Sequence, residues 1–260
     1  INTATSITGT AADIATVMGS SGVSHVSGTL QATTDTGSID SADLITIDNN
    51  SGRIVLASTA SEIIGTETEI VAVIGRTSGI EIAGTTAATV NDGTASVSNV
   101  STMSNGSRIV TATVDTGVVS ELIAGLPDST KNVLTIEVTD NGSDTLVDPA
   151  DLITLAAKTT SAINIDAVNV LTGEAEDVVA VYDAGSSDFT NLGTEQVTIT
   201  GTANASDLKL LLEDTNQNIT LGSVSSVSGS VSDLDDVLAS PRIVGWDTAY
   251  PPLTVSGSSV

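Results

Sequence analysis

Few residues in this chain have the chemistry to act, and they are thinly spread. His25 is the only histidine and lies in a predicted strand between Val23 and Val26, where it reads as an outward or half-exposed strand residue. The many Ser and Thr hydroxyls have no base beside them to activate them. No H-E-x-x-H, G-x-S-x-G or Walker sequence is present, and no two glycines stand at G-x-G spacing. Carboxylate groups such as Glu174/Glu176/Asp177 and Asp233/Asp235/Asp236 have the chemistry for glycoside hydrolysis. They fall at predicted helix starts, where acids favour the helix dipole. The expectation is therefore that the chain is not an enzyme, with a hydrolase as the outlier.

Oxygen ligands are the more serious resource. The chain carries 32 Asp and Glu, and Asp140-Asn141-Gly142-Ser143-Asp144 sets acids around a glycine in a turn. Calcium is the cofactor such loops could hold, with Asp140, Asn141 and Asp144 as candidate ligands. The rest of an EF-hand is missing, as is the glycine-rich nonapeptide of calcium β-rolls. The alternative reading of the turn is a solvated, Asx-rich loop, with no cofactor at all. A ligand-binding face would need aromatics, and only Trp246 and Tyr250 cluster, beside Pro251 and Pro252. Asn-x-Ser/Thr sequons at Asn49, Asn99, Asn105, Asn141, Asn204 and Asn218 would matter only in a secreted, glycosylated protein.

Composition narrows the partners. Against those acids stand 7 Lys and Arg, for a formal net charge of −25 in 260 residues. A phosphate backbone needs a positive footprint, so nucleic acid is excluded, and an anionic membrane surface is disfavoured. No apolar run approaches the roughly 20 residues of a membrane span. There is no cysteine, which removes disulfide and thiolate chemistry. The first residue is Ile1, with no basic leader, so the reading is a processed chain or a piece of a longer one.

What must position these residues is a repeat. An acidic or polar residue recurs at Asp13, Asp43, Glu69, Asn99, Glu121, Asp151, Asp177, Asp207 and Asp233, at intervals of 30, 26, 30, 22, 30, 26, 30 and 26. Three residues earlier stand Thr10, Asp40, Thr66, Ser96, Val118, Asp148, Glu174, Asn204 and Ser230, and seven of these nine are good N-caps. Cap and acid together predict a capping box at each helix start, with Asp substituting for Glu. The caps Thr10, Asp40, Thr66, Asp148, Asn204 and Ser230, with their acids Asp13, Asp43, Glu69, Asp151, Asp207 and Asp233, are thus structural. Apolar residues follow one and four positions after the acid, and Val17 fills the second of these in the first unit. A polar turn comes next, then a short alternating strand, in which Arg-Ile-Val occurs at Arg53, Arg108 and Arg242. A second extended piece, such as Ile63-Ile64-Gly65-Thr66, leads into the next helix.

No such unit can bury its own apolar face, and stacked copies can. The expected fold is a β-rich repeat solenoid with a short helix per coil, of leucine-rich-repeat size. It would run as about nine coils of 26–30 residues over 1–240, with a cap or joint at 241–260. Tandem β-sandwich domains are the alternative.

The strings Ala42-Asp43-Leu44-Ile45-Thr46-Ile47, Ala150-Asp151-Leu152-Ile153-Thr154-Leu155 with its continuation to Thr160, and Leu171-Thr172-Gly173 resemble repeats of very large bacterial cell-surface proteins. Those repeats are typical of marine cyanobacteria and accompany hemolysin-type calcium-binding modules. The resemblance implies a secreted or cell-surface, adhesive or structural role. The leading expectation is a noncatalytic extracellular subunit of a surface filament or layer, or an adhesin stalk. Its partners would be copies of itself, stacked end to end or laterally, or other cell-surface components. A glycan-recognising adhesin or phage tail-fibre segment and a calcium-stabilised surface module are the alternatives.

Overall fold

A computed structural model describes residues 4–22, 29–104, 107–139, 146–246 and 251–256. Among them nine helices alternate with short strands. The helices are α1 (Ala11–Gly19), α2 (Ser41–Ser51), α3 (Glu67–Gly75), α4 (Val97–Ser104), α5 (Val119–Gly125), α6 (Pro149–Ala156), α7 (Ala175–Asp188), α8 (Ala205–Asp214) and α9 (Val231–Ala239). The residue one place after each recurring acid is the anchor of its helix. Ile14, Leu44, Ile70, Val100, Leu122, Leu152, Val178, Leu208 and Leu234 are all buried. Four places after the acid, Ile47, Val73, Met103, Leu155, Val181, Leu211 and Val237 are buried as well. In α1 the second anchor moves one residue on. Met18 is buried and Val17 is exposed, because Ile14 and Met18 share a face at i, i+4.

The chain divides into two compact units, Ile1–Asp115 with Gly125–Leu134, and Thr116–Ala124 with Thr135–Val260. The first carries one sheet ordered β1 (Ser6–Gly9), β2 (Gln31–Thr34), β4 (Val55–Leu56), β6 (Ile80–Glu81). A second sheet is ordered β3 (Gly37–Asp40), β5 (Ala60–Thr66), β7 (Ala87–Asp92), β8 (Val110–Thr113), β9 (Val133–Thr135). The other unit has the pair β10 (Ile163–Asn164) and β12 (Phe189–Thr190). It also has the sheet β11 (Val170–Gly173), β13 (Gln196–Asn204), β14 (Ile219–Gly229), β15 (Ile243–Val244), with β16 (Leu253–Val255) also on β14. Residues 241–260 therefore supply the two strands β15 and β16 to this sheet. The strand pairs are parallel, as in Ile63 opposite Ala88 and Val227 opposite Leu253.

These findings overturn the solenoid expectation and its sandwich alternative. Sandwiches need antiparallel strands, and these sheets are parallel. The chain is an α/β fold whose helices hold more of the described residues than its strands do, so it is not β-rich. Its strands fall into four separate sheets and not one continuous stack. The short interval between Asn99 and Glu121 shows one physical reason. Between α4 and α5 there is room for a single strand, β8, which pairs with β7, and the sheet that ends at β6 stops there.

Close packing between successive units explains the glycine that precedes several caps. A side chain at Gly229 would place its Cβ 2.6 Å from the Cβ of Ala205, the first residue of α8. Gly65 and Gly173 stand likewise against Ser41 and Pro149, the first residues of α2 and α6.

Candidate functional site

The recurring acids are placed at helix N-termini, and they act there in two ways. Thr66 and Glu69 close the full box. The Glu69 N–H donates to Thr66 Oγ1 at 3.3 Å, and the Thr66 N–H donates to Glu69 Oε2 at 2.9 Å. The Thr66 N–H and then the Thr66 hydroxyl hold the Glu69 carboxyl below the usual range. Asp is one methylene shorter, and at Thr10 and Ser230 it takes the cap hydroxyl. Thr10 Oγ1 donates to Asp13 at 2.8 Å and Ser230 Oγ to Asp233 at 2.7 Å, while both hydroxyls accept the N–H of the same Asp at 3.1 Å.

Where the cap is itself an Asp it has no proton to give. Asp40 and Asp148 accept from the second N–H of their helices, at Ala42 (2.8 Å) and Ala150 (3.0 Å). Their partner acids Asp43 and Asp151 then face a like charge. Burial, and after it the Asp40 charge, pushes the Asp43 carboxyl up. The side chain of Asn204 makes no cap bond and instead accepts from Ser228 Oγ at 3.0 Å, and Asp207 accepts from Ser206 Oγ at 3.3 Å. The boxes expected at Asp40, Asp148 and Asn204 are thus replaced by other contacts.

Two grooves lie between helix starts separated by the 30-residue interval. One, of about 300 Å³, is lined by Thr10, Ala11, Asp35, Ser38, Asp40 and Asp43. The other, of about 170 Å³, is lined by Val118, Ser120, Thr139, Leu146, Asp148 and Asp151. Between α3 and α4 the interval is the same, and there a side chain bridges the two helix starts. Glu67 Oε1 accepts from the Ser96 N–H and hydroxyl, both at 2.7 Å, and from Asn99 Nδ2 at 2.8 Å. The acid that would crowd Asp40 and Asp43 is replaced by Ala11, and the one that would crowd Asp148 and Asp151 by Val119. Among the described residues no three His, Cys, Asp or Glu come together as a metal site.

The Arg-Ile-Val slots have a role that local patterning does not show. Arg108 is buried with no countercharge among the described residues and donates to the carbonyls of Thr86 (2.6 Å), Met103 (3.2 Å) and Ala83 (3.3 Å). Met103 lies in the last turn of α4, where unpaired carbonyls and the negative end of the dipole favour a cation. Burial alone pulls the Arg108 guanidinium down from its ordinary value. Arg242 donates to the carbonyls of Thr215 and Leu212 at the end of α8, and Arg53 to that of Thr29 at 3.5 Å.

Glu195 is a second group that the sequence did not distinguish. It is buried, and its carboxylate accepts the N–H groups of Gly193 and Thr194 at 2.8 Å and the Tyr182 hydroxyl at 3.2 Å. Burial first, and then the Glu195 charge, drives the Tyr182 phenol well above its usual range. Apart from the Tyr182–Glu195 contact, these polar groups are spent on backbone donors and acceptors, which is structural work.

The remaining candidates do not converge on a cleft. Glu174 and Glu176 are exposed at the start of α7. Asp233 and Asp236 face Lys209 of α8 at 3.5 and 2.7 Å, and Asp235 is exposed. Trp246 is half-buried, and its indole nitrogen has no partner among the described residues. Tyr250, His25 and the turn holding Asp140, Asn141 and Asp144 lie outside the described residues. Among the described residues no helix is long and apolar enough to cross a membrane. No family model, curated protein or solved structure matches the chain.

Proposed function

We propose that the chain is a noncatalytic structural repeat protein of the cell surface or extracellular space, built to associate with copies of itself. One observation carries the reading. The parallel sheets end in strands that pair on one side only among the described residues, β1, β3, β6, β9, β12, β15 and β16 among them. All three residues of β16 are exposed. An exposed strand edge presents a row of free N–H and C=O groups, which is a template for another strand. The charge of −25 supplies the control. It keeps copies apart at low ionic strength and yields as salt screens it.

Sedimentation velocity tests this directly. The mass-average sedimentation coefficient is expected to rise with protein concentration, and to rise further in about 0.5 M salt, where the Debye length falls to roughly 4 Å. A single monomeric species throughout would overturn the proposal. The calcium-stabilised alternative has its own test, since its thermal transition must fall on adding a chelator.

A further inference from the structure

The loop between β12 and β13 is held in shape by a carboxylate that folds back from its own end. Its backbone is unusual at two places. Asn191 has a φ of 66°, the only positive value at a non-glycine residue among the described residues, and Gly193 has a φ of 107°. Backbone of this kind persists where surrounding contacts over-determine it. Asn191 donates through Nδ2 to Asn164 Oδ1 at 2.8 Å. Glu195 is 1% exposed and closes the turn. Its two oxygens share the Gly193 N–H at 2.8 and 2.9 Å, and Oε2 accepts the Thr194 N–H at 2.8 Å. From α7 the Tyr182 hydroxyl donates to Oε1 at 3.2 Å.

Every one of these partners is a donor. An ionised carboxylate only accepts and satisfies them all, whereas a protonated one brings an O–H into a ring of donors and has less to accept with. No cation pairs with Glu195 among the described residues. The backbone N–H dipoles and the phenol offset its burial instead. The charged groups around Tyr182 are Asp214 at the end of α8, with Asp183 of α7 and Glu213 beside it. All three are acids and offer Glu195 nothing to pair with. Arg242 donates to the carbonyls of Leu212 and Thr215. Thr215 Oγ1 in turn donates to Gly193 O at 3.5 Å, which ties the loop to the end of α8.

We infer that Glu195 is an acid-sensitive latch. Ionised, it closes the loop 191–195 and holds α7 to it through Tyr182. Protonated, it releases both while the rest of the fold stays in place. The latch is local, because its donors come from the loop itself and from one side chain of α7. It goes beyond the self-association reading and does not depend on it.

The test is amide hydrogen exchange of the full chain, followed residue by residue at about pH 7 and at about pH 4, where carboxylates take up protons. Rates are corrected for the pH dependence of exchange itself. Protection of the Gly193 and Thr194 amides is expected to fall about tenfold or more at the lower pH, because charge-assisted hydrogen bonds are lost. Ala57, whose N–H donates to the Glu81 carbonyl at 2.8 Å, should keep its protection. Glu195→Gln should show the open pattern already at pH 7 and change no further at pH 4. Tyr182→Phe keeps the carboxylate and removes one donor, so its loop should open at a higher pH than that of wild type. Unchanged protection of Gly193 and Thr194 in wild type would overturn the latch, as would a Glu195→Gln loop as protected as wild type at pH 7. An equal loss at Ala57 would be general acid unfolding and would overturn it too.

Discussion

Glu67 of α3 holds Ser96 at the start of α4, with its Oε1 2.7 Å from both the Ser96 nitrogen and the Ser96 hydroxyl. Burial pushes this carboxyl up, but the Ser96 hydroxyl, the Ser96 N–H and the Asn99 amide together bring it below the ordinary value. A carboxyl depressed on folding stabilises the fold above its unfolded pKa and loses that contribution as pH falls through its folded value. Glu67→Ala should therefore cost about 1–2 kcal/mol at neutral pH, and the gap between variant and wild type should close below about pH 4. Asp43 and Asp214, whose carboxyls are raised chiefly by burial, act with the opposite sign and gain on mild acidification. Thermal melts from pH 3 to 7 check both; a gap that stays constant with pH would refute the charge-assisted contact.

Arg108 makes a prediction about geometry more than charge. Three carbonyls from three places in the chain converge on one planar guanidinium. Arg108→Lys keeps the charge but cannot span them, and leaves buried acceptors unpaired. Urea unfolding should show a loss of about 2–4 kcal/mol for Arg108→Lys, close to that for Arg108→Met. A lysine variant as stable as wild type would show that charge alone suffices.

The same arginine marks where sequence reading stops. The Arg-Ile-Val string is visible in the chain, but its partners at Thr86 and Ala83 are 22 and 25 residues away and are carbonyls, which carry no side-chain signature. Helix starts and anchors were legible because their causes are local. A cap, an acid three residues on and an apolar residue after it place Leu44 or Leu208 in the core by helical geometry alone. The failure at Val17 is also local, since Met18 offers a larger apolar side chain one position later. Fold class was not legible, because a strand of two to four residues does not encode which sheet it joins. The interval of 22 residues after Asn99 was visible as an irregularity, but not that it ends one sheet. Glu195 looked like any other acid until folding buried it against Gly193 and Thr194.

Gly229 tests how tightly successive units are packed. A Cβ there meets the Ala205 Cβ at 2.6 Å, and neither group can rotate away. Gly229→Ala should cost about 1–3 kcal/mol by overpacking. Adding Ala205→Gly should recover part of that loss, because it empties the space the new methyl needs. A double-mutant cycle on unfolding free energies measures this coupling. Strict additivity would show that the clash is not between these two residues.

Tyr182 reports on the buried carboxylate beside it. Its phenol donates to Glu195 and is raised by burial and by that charge, so its ionisation is suppressed in the folded protein. The chain has two tyrosines, Tyr182 and Tyr250, which makes the absorbance at the phenolate band simple to divide. With Tyr250→Phe, the remaining phenol should stay protonated through the normal range near pH 10 and ionise only as the protein unfolds in base. A phenol raised on folding contributes its full stability below its unfolded pKa and loses that contribution as pH climbs past it. The unfolded state loses the proton more readily, so stability falls above about pH 10. Glu195→Gln removes the neighbouring charge while keeping an acceptor, and should bring the Tyr182 transition down in pH. A Tyr182 titration that is normal in the folded wild type would refute the buried Tyr182–Glu195 contact.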